Sequence, residues 1–371
     1  MMTMQAPPQR FVLGEEEQML RDTARTFIAD RMQVTALRKL RDEQAANDYD
    51  PQVWADMAAL GWPGIAIGEE HGGAGLGQRA LVAVIEGMGR TLGVSPLAST
   101  ALVAATVIGR FADSETAARL LPQIAKGSLI AALAVDEAPH PALAAPACAL
   151  DNGTVSGAKC YVADGTAADL LLVSARDGEE TVLALVRADA EGVAIERRST
   201  IDSRGLADIR LDRAPVESVI RGRDVAEYAR DCARIALAAE MLGACSQAFE
   251  VTLDYLRTRQ QFGQVIGSFQ ALQHRAAALF IELELVRSCV HAGADALHGD
   301  DADVPLLSSL AKAQAGDLMR LMSHEMIQLH GGIGMTDAHD AGLYLKRGRV
   351  AALLHGDAAF HRERYAALRG Y

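Results

Sequence analysis

The runs SLIAALAV (128–135), TVSGAKCYVAD (154–164), DLLLVSAR (169–176), TVLALVRA (181–188) and GVAIERR (192–198) decide how this chain is organised. Each is short and apolar or alternating, and Gly, Asp, Asn and Pro separate them, so they read as strands joined by turns. The texture changes on both sides of that block. Upstream, residues 15–44 place Met19, Ala24, Phe27, Ile28 and Met32 at helical spacing behind leading glutamates, which suit the positive end of a helix dipole. A second short helix covers 51–60, and helices continue through 78–126 with a break near Gly93–Pro96. Beyond Pro215 the pattern is helical again: about Asp224 to Arg257, Phe269 to His298, Pro305 to Leu329, and His339 to Leu368. Long amphipathic segments of this kind suit an antiparallel bundle. The expected fold class is α+β, with a helical domain at 1–127, a small β-domain at 128–220 and a C-terminal four-helix bundle at 221–371.

The chain has 371 residues, more than one hydrophobic core usually serves. Half the residues are apolar, and the net charge of −12 comes without any clustered basic face, so nucleic acid is excluded as a partner. The five cysteines, Cys148, Cys160, Cys232, Cys245 and Cys289, show no paired spacing and read as buried thiols in a reducing compartment. Neither a disulfide frame nor a metal site is expected. The opening MMTMQAPPQR has no signal core, and no apolar run approaches the roughly 20 residues of a membrane helix, so a cytoplasmic location is expected. The glycine-rich HGGAGLG at 71–77 follows no strand and precedes no Lys-Ser/Thr, and reads as a surface turn instead of a phosphate loop.

Four segments in order resemble the acyl-CoA dehydrogenase family. RTRQQFGQVIGSFQALQHRAA (257–277) resembles its R-x-x-F-G-x-x-I-x-x-x-Q-x-x-Q segment, and IQLHGGIGMTDAHDAGLYLKR (327–347) its Q-x-x-G-G-x-G segment. FVLGEEEQMLRDTARTF (11–27) resembles the opening helix, and SGAKCYVADGTAADLLLVSA (156–175) the β-domain strand pair. The resemblance implies FAD between β-domain and bundle, its ADP end held by a neighbouring subunit. It also implies an acyl-CoA substrate, a dimer or tetramer of this or a related chain, and an electron-transfer flavoprotein as electron acceptor. The implied cofactor-binding residues are Arg259, Gln261, Phe262, Ile266, Phe269, Gln328, Gly331 and Gly332. The chemistry is coherent: Arg259 offers pyrophosphate a planar cation, and Gly331-Gly332 lets backbone approach without an intervening side chain.

The family's α-proton acceptor is a carboxylate late in the last helical region, and counting from the glycine pair places His355 there. Asp357, two residues on, is a shorter acid aimed elsewhere. A second candidate is Glu240, whose neighbours at three and four positions are Ala236, Leu237, Gly243 and Ala244. A carboxylate on such a face is expected to be buried, with a pKa raised toward that of a general base. Glu240 matches a helix-borne glutamate of the actinobacterial steroid-type branch, which implies a bulky side-chain thioester such as a steroid side-chain CoA ester.

The isoalloxazine end fits the family less well. The stretch that contacts the flavin through hydroxyls is here LAVDEAPHPAL (133–143), and the Trp-Ile-Thr strand reads Tyr161-Val162-Ala163. On one helix over 226–259, Glu240 and Arg259 would also stand about 28 Å apart, too far to serve one FAD. Three functions follow as expectations: an α,β-desaturase of acyl-CoA with Glu240 as base, a non-catalytic subunit completing a partner's FAD site, and an oxygen-using flavin hydroxylase.

Overall fold

The computed structural model describes residues 14–43, 48–139, 145–299 and 301–371. The opening motif's Phe11, Val12 and Leu13, the N-terminal ten residues and positions 140–143 of the flavin-contact stretch lie outside them. Helix α1 (Glu15–Arg31) starts on a capping box in which Gly14 N–H donates to Glu17 Oε2 at 2.7 Å. The single helix expected over 15–44 is in fact two, interrupted at Met32-Gln33 and resumed as α2 (Val34–Asp42). Helix α3 (Pro51–Ala59) is capped by Asp50, and α4 (Gly77–Arg90) starts where HGGAGLG ends. A π-helical stretch at Ala98–Ala104 runs into α5 (Ala105–Phe111), followed by α6 (Ser114–Ala125).

Eight strands follow: β1 (Ala131–Ala134), β2 (Ala149–Asp151), β3 (Thr154–Ala163), β4 (Leu170–Asp177), β5 (Glu180–Arg187), β6 (Val193–Arg198), β7 (Leu206–Pro215) and β8 (Ser218–Ile220). Their order is β6-β7-β3-β2-β4-β5-β8, with β1 joined to β4 in parallel. Strand β4 explains why its sequence is a continuous apolar run. Leu170 and Leu172 enter the large core shared with the helices, while Leu171, Val173 and Ala175 enter a second core with Val155, Val182 and Ile209. Both faces are covered, so neither is polar.

The bundle comprises α7 (Val225–Thr258), α8 (Gln270–His298), α9 (Val304–His330), α10 (Ala341–Leu353) and α11 (Ala358–Leu368). Helix α7 lies between α4, α8 and α9 and is buried on nearly every side, so the amphipathic stripe expected along it is absent. Glycines permit its crossing with α4. A Cβ on Gly243 would stand 1.8 Å from the Glu86 carbonyl oxygen, and one on Gly89 2.1 Å from that of Glu240. Gly243→Ala should therefore cost about 1–3 kcal/mol by forcing the helices apart. A melting temperature equal to wild type would show that the crossing yields without cost.

The helix expected over 339–368 is also two. Its break at 354–357 puts His355 at φ 55° and Gly356 at φ 111°, and Asp357 Oδ1 caps α11 by accepting from Phe360 N–H at 2.9 Å. Asp357 is thus a helix cap.

Candidate functional site

Where the N-terminal helices, the sheet and the bundle meet lies a cavity of about 100 Å³, with Ile85, Met88, Val94 and Ser99 on its N-terminal side. Leu133, Ala163, Asp164 and Leu206 line it from the β-domain, Ala233, Ala236, Leu237 and Glu240 from α7, and Leu354 and His355 from the α10–α11 break. Ligand pockets usually hold roughly 300–1,000 Å³, so this one is small. Glu240 is inside it but not free. Arg347 holds its carboxylate in a fork, Nε to Oε1 and Nη2 to Oε2 at 2.7 Å each, and Arg204 Nη1 lies 3.0 Å from Oε1. Arg347 is itself anchored to Asp202 Oδ2 at 2.9 Å.

The expected rise in the Glu240 pKa is overturned by this arrangement. Burial pushes the carboxyl up, but the charges of Arg204 and Arg347 and their hydrogen bonds outweigh it and hold the group at about 2. The register of α7 pointed to an enclosed glutamate, and Glu240 is only partly buried, its side chain 13% exposed; the two arginines that meet it come from elsewhere in the chain.

Nearer the start of α7, the slot between β-domain and bundle is bridged. Asp136, just beyond β1, brings Oδ2 to 3.1 Å from Nδ1 of His355. Arg230 Nη2 lies 3.6 Å from the other Asp136 oxygen. Burial raises the Asp136 carboxyl, while His355, Arg230 and Arg234 together hold it below its ordinary value. The loop carrying His355 is pinned. Arg234 Nε donates to the His355 carbonyl at 3.2 Å, and the buried Lys312 Nζ donates to the Ala352 and Gly356 carbonyls at 2.9 Å each. Burial, with help from the Arg234 charge, lowers the Lys312 ammonium to about 7. Nothing in the sequence pattern singled out Arg204, Arg347, Lys312 or the Asp136 contact.

The residues implied for the ADP end fall at the opposite end of α7. Arg259 caps that helix with an exposed side chain, and its N–H bonds the Tyr255 carbonyl at 2.9 Å. A two-stranded hairpin, β9 (Gln260–Gln261) and β10 (Gln264–Val265), turns through Phe262 and Gly263 at φ 54° and 78°. Two left-handed residues are what a tight hairpin of this hand demands. Phe262 is 92% exposed, with its ring edge-on to Phe269 at 6.1 Å. The Gln261 amide donates to the Gln260 carbonyl, and Ile266 starts a short 3-10 turn leading to Phe269 and α8. Gln328 sits exposed on the last turn of α9, and Gly331 follows at φ 63°. A Cβ on Gly331 or Gly332 would meet no atom within 4 Å. Backbone here faces open space, as an approaching pyrophosphate requires.

Glu240 is thus separated from the other eight implied residues. Helix α7 is unbroken from Val225 to Thr258, so the separation of about 28 Å along it stands. Among the described residues, no group of His, Cys, Asp and Glu could hold a metal ion, and no helix is long and apolar enough to cross a membrane.

A helical domain, a β-domain and a bundle, with a cleft between the last two and an exposed hairpin beside a glycine turn, make up the acyl-CoA dehydrogenase fold of flavin-dependent oxidoreductases. Residues 14–128 match the family model described as "Acyl-CoA dehydrogenase, N-terminal domain", and residues 221–368 that of the C-terminal domain. The chain is 34% identical over 342 residues to acyl-CoA dehydrogenase IpdE2 of Mycobacterium tuberculosis, covering 92% of this chain and 93% of the relative. A solved steroid acyl-CoA dehydrogenase, Tcur3481-Tcur3483, superimposes with a TM-score of 0.88 at 33% identity, over 96% of this chain and 98% of the other. The ChsE4-ChsE5 complex from Mycobacterium tuberculosis shares the fold at a TM-score of 0.89 and 24% identity, over 97% and 99%. The chain belongs to the acyl-CoA dehydrogenase family, and the cofactor of its class is FAD.

The fit of FAD to this chain is uneven. Its ADP half suits the Arg259 hairpin and the open Gly331-Gly332 backbone. Its ring half finds room but fewer partners: a cavity of about 290 Å³ beside His355 is lined by Asp136, Tyr161, Leu206, Leu354 and Phe360, and the usual strand hydroxyl is missing at Ala163. Asp136 and His355 stand 3.1 Å apart, so a flat ring would lie beside that pair and not between them.

Proposed function

We propose that this chain is one subunit of a heteromeric, FAD-dependent acyl-CoA dehydrogenase acting on a steroid-derived CoA thioester, and that it holds the ADP end of a flavin whose ring lies in a related partner chain. The observation that carries the proposal is the Asp136–His355 contact, which puts an acid-paired imidazole where the family's carboxylate base is expected. Ala163 adds to it, because a hydroxyl of the usual strand is missing there. The relatives described above, one a steroid acyl-CoA dehydrogenase and one a complex of two chains, support the substrate class and the heteromer.

When bound, FAD would supply the hydride acceptor for the β-carbon of the thioester, and a base would be needed for the α-proton. This chain's part is binding. Arg259 neutralises pyrophosphate charge, Gly331 and Gly332 offer backbone amides, and Phe262 with Phe269 gives an apolar shelf. The base belongs to the partner in this reading, since a carboxylate held at about 2 is a poor proton acceptor near neutrality. Glu240 would serve as base only after parting from both arginines. An electron-transfer flavoprotein is the electron acceptor this reading assigns to the assembly.

Flavin stoichiometry tests the proposal. The isolated chain should bind no FAD, and its assembly with the related chain should hold one FAD per two chains. Acyl-CoA should bleach that flavin without oxygen, which a flavin hydroxylase would not require of its substrate. A homo-oligomer with one tightly bound FAD per chain, bleached by acyl-CoA, would overturn the division of labour.

A further inference from the structure

Beside the proposed ADP-binding surface, and resting on that reading of it, three rings form a stack. His330, the last residue of α9, is 3% exposed. Its ring centroid lies 4.4 Å from Tyr255 and 4.3 Å from His339, with interplanar angles of 31° and 46°. The Nδ1 atom stands 2.7 Å from the Met326 carbonyl oxygen, which can only accept, so Nδ1 carries the proton. The Nε2 atom is buried and has no hydrogen-bond partner among the described residues. Burial lowers the pKa of the ring, which keeps the imidazole neutral.

Each ring belongs to a different part of the surface. Tyr255 lies one turn before Arg259, and its carbonyl accepts the Arg259 N–H. His330 immediately precedes the Gly331-Gly332 turn. His339 lies two residues before α10, its Nδ1 accepting from Ala341 N–H at 3.1 Å. A Cβ on Gly331 or Gly332 would touch nothing, and the Gly331 N–H bonds the Ile327 and Gln328 carbonyls, so the turn moves with the end of α9. The ring stack joins the end of α7 that carries the hairpin to the end of α9 that carries the glycine turn, at the edge of the packed α7–α9 interface.

We infer that the Tyr255–His330–His339 stack sets the spacing between Arg259 and the Gly331-Gly332 backbone, making His330 a positioning residue for the ADP half of FAD. An aromatic ring of similar size serves the purpose; the imidazole's second nitrogen is not needed for it. His330→Ala removes both ring contacts, and small displacements of a binding turn weaken pyrophosphate contacts steeply.

The test uses the assembly of this chain with its related chain, stripped of flavin and titrated with FAD. His330→Ala should raise the dissociation constant for FAD by about tenfold or more, and His330→Phe should return it to within about threefold of wild type. Tyr255→Leu, which breaks the stack from the other side, should also weaken FAD and keeps the question open to test if His330→Ala fails to assemble. A lower melting temperature with unchanged FAD affinity in both variants would make the stack mere packing and overturn the inference. Arg259→Ala separates the two claims: if it weakens FAD while the stack variants do not, only the inference falls. If Arg259→Ala leaves affinity unchanged, the assignment of the surface falls, and the inference with it.

Discussion

In the assembly with its partner, Arg259→Ala should raise the dissociation constant for FAD by roughly 10- to 150-fold, the equivalent of about 1.5–3 kcal/mol for a hydrogen bond to a charged group. A solvated arginine would contribute almost nothing. The exposed position of the side chain at the end of α7 means that truncation opens no cavity, so fold and assembly should persist. Arg259→Lys should recover only part of the affinity, because an ammonium restores the charge without the planar fork that matches two phosphate oxygens. Calorimetric titration of FAD into the deflavinated assembly reads the effect, and the far-UV spectrum checks the fold. An unchanged constant would remove the hairpin from the ADP site.

What the sequence could reveal depended on how far apart the interacting residues lie. The strand block from 128 was readable because β4 and its neighbours alternate or run apolar over a few residues. The Arg259 hairpin and the glycine pair were readable because each is a contiguous string whose backbone needs are local, with left-handed Phe262, Gly263 and Gly331. The α10–α11 break carries a local signal: Gly356 followed by Asp357 is a stop and a cap in succession. The fate of Glu240 had none. Arg347 lies 107 positions from it and Asp202 is 145 positions from Arg347, and helical register shows that a carboxylate is buried without showing what meets it. The same holds for Asp136 and His355, which come from the two ends of the β-domain and bundle.

Glu240→Gln distinguishes the two roles open to that residue by moving stability and turnover in opposite patterns. The carboxyl is held at about 2, against 4.5 for an unperturbed group. Its folded-state pKa is depressed, so it contributes stability that is fully present above about pH 4.5 and is lost as pH falls toward 2. That displacement corresponds to roughly 3 kcal/mol at neutral pH, similar to the about 3–5 kcal/mol lost when one partner of a buried ion pair is removed. Glutamine keeps the shape but leaves Arg204 and Arg347 facing a neutral amide in a buried site, with Asp202 the remaining counter-charge to Arg347. The variant should therefore melt well below wild type at pH 7, and the gap should close on acidification through the window from 4.5 to 2. Turnover of the complete assembly, measured below the variant's melting range, should stay within a few-fold of wild type. The opposite result, a melting curve little changed and a chemical step slowed by about 10²–10⁴, would make Glu240 the base. Substrate binding would then have to draw both arginines away from it, and the chain would be a catalytic subunit in its own right.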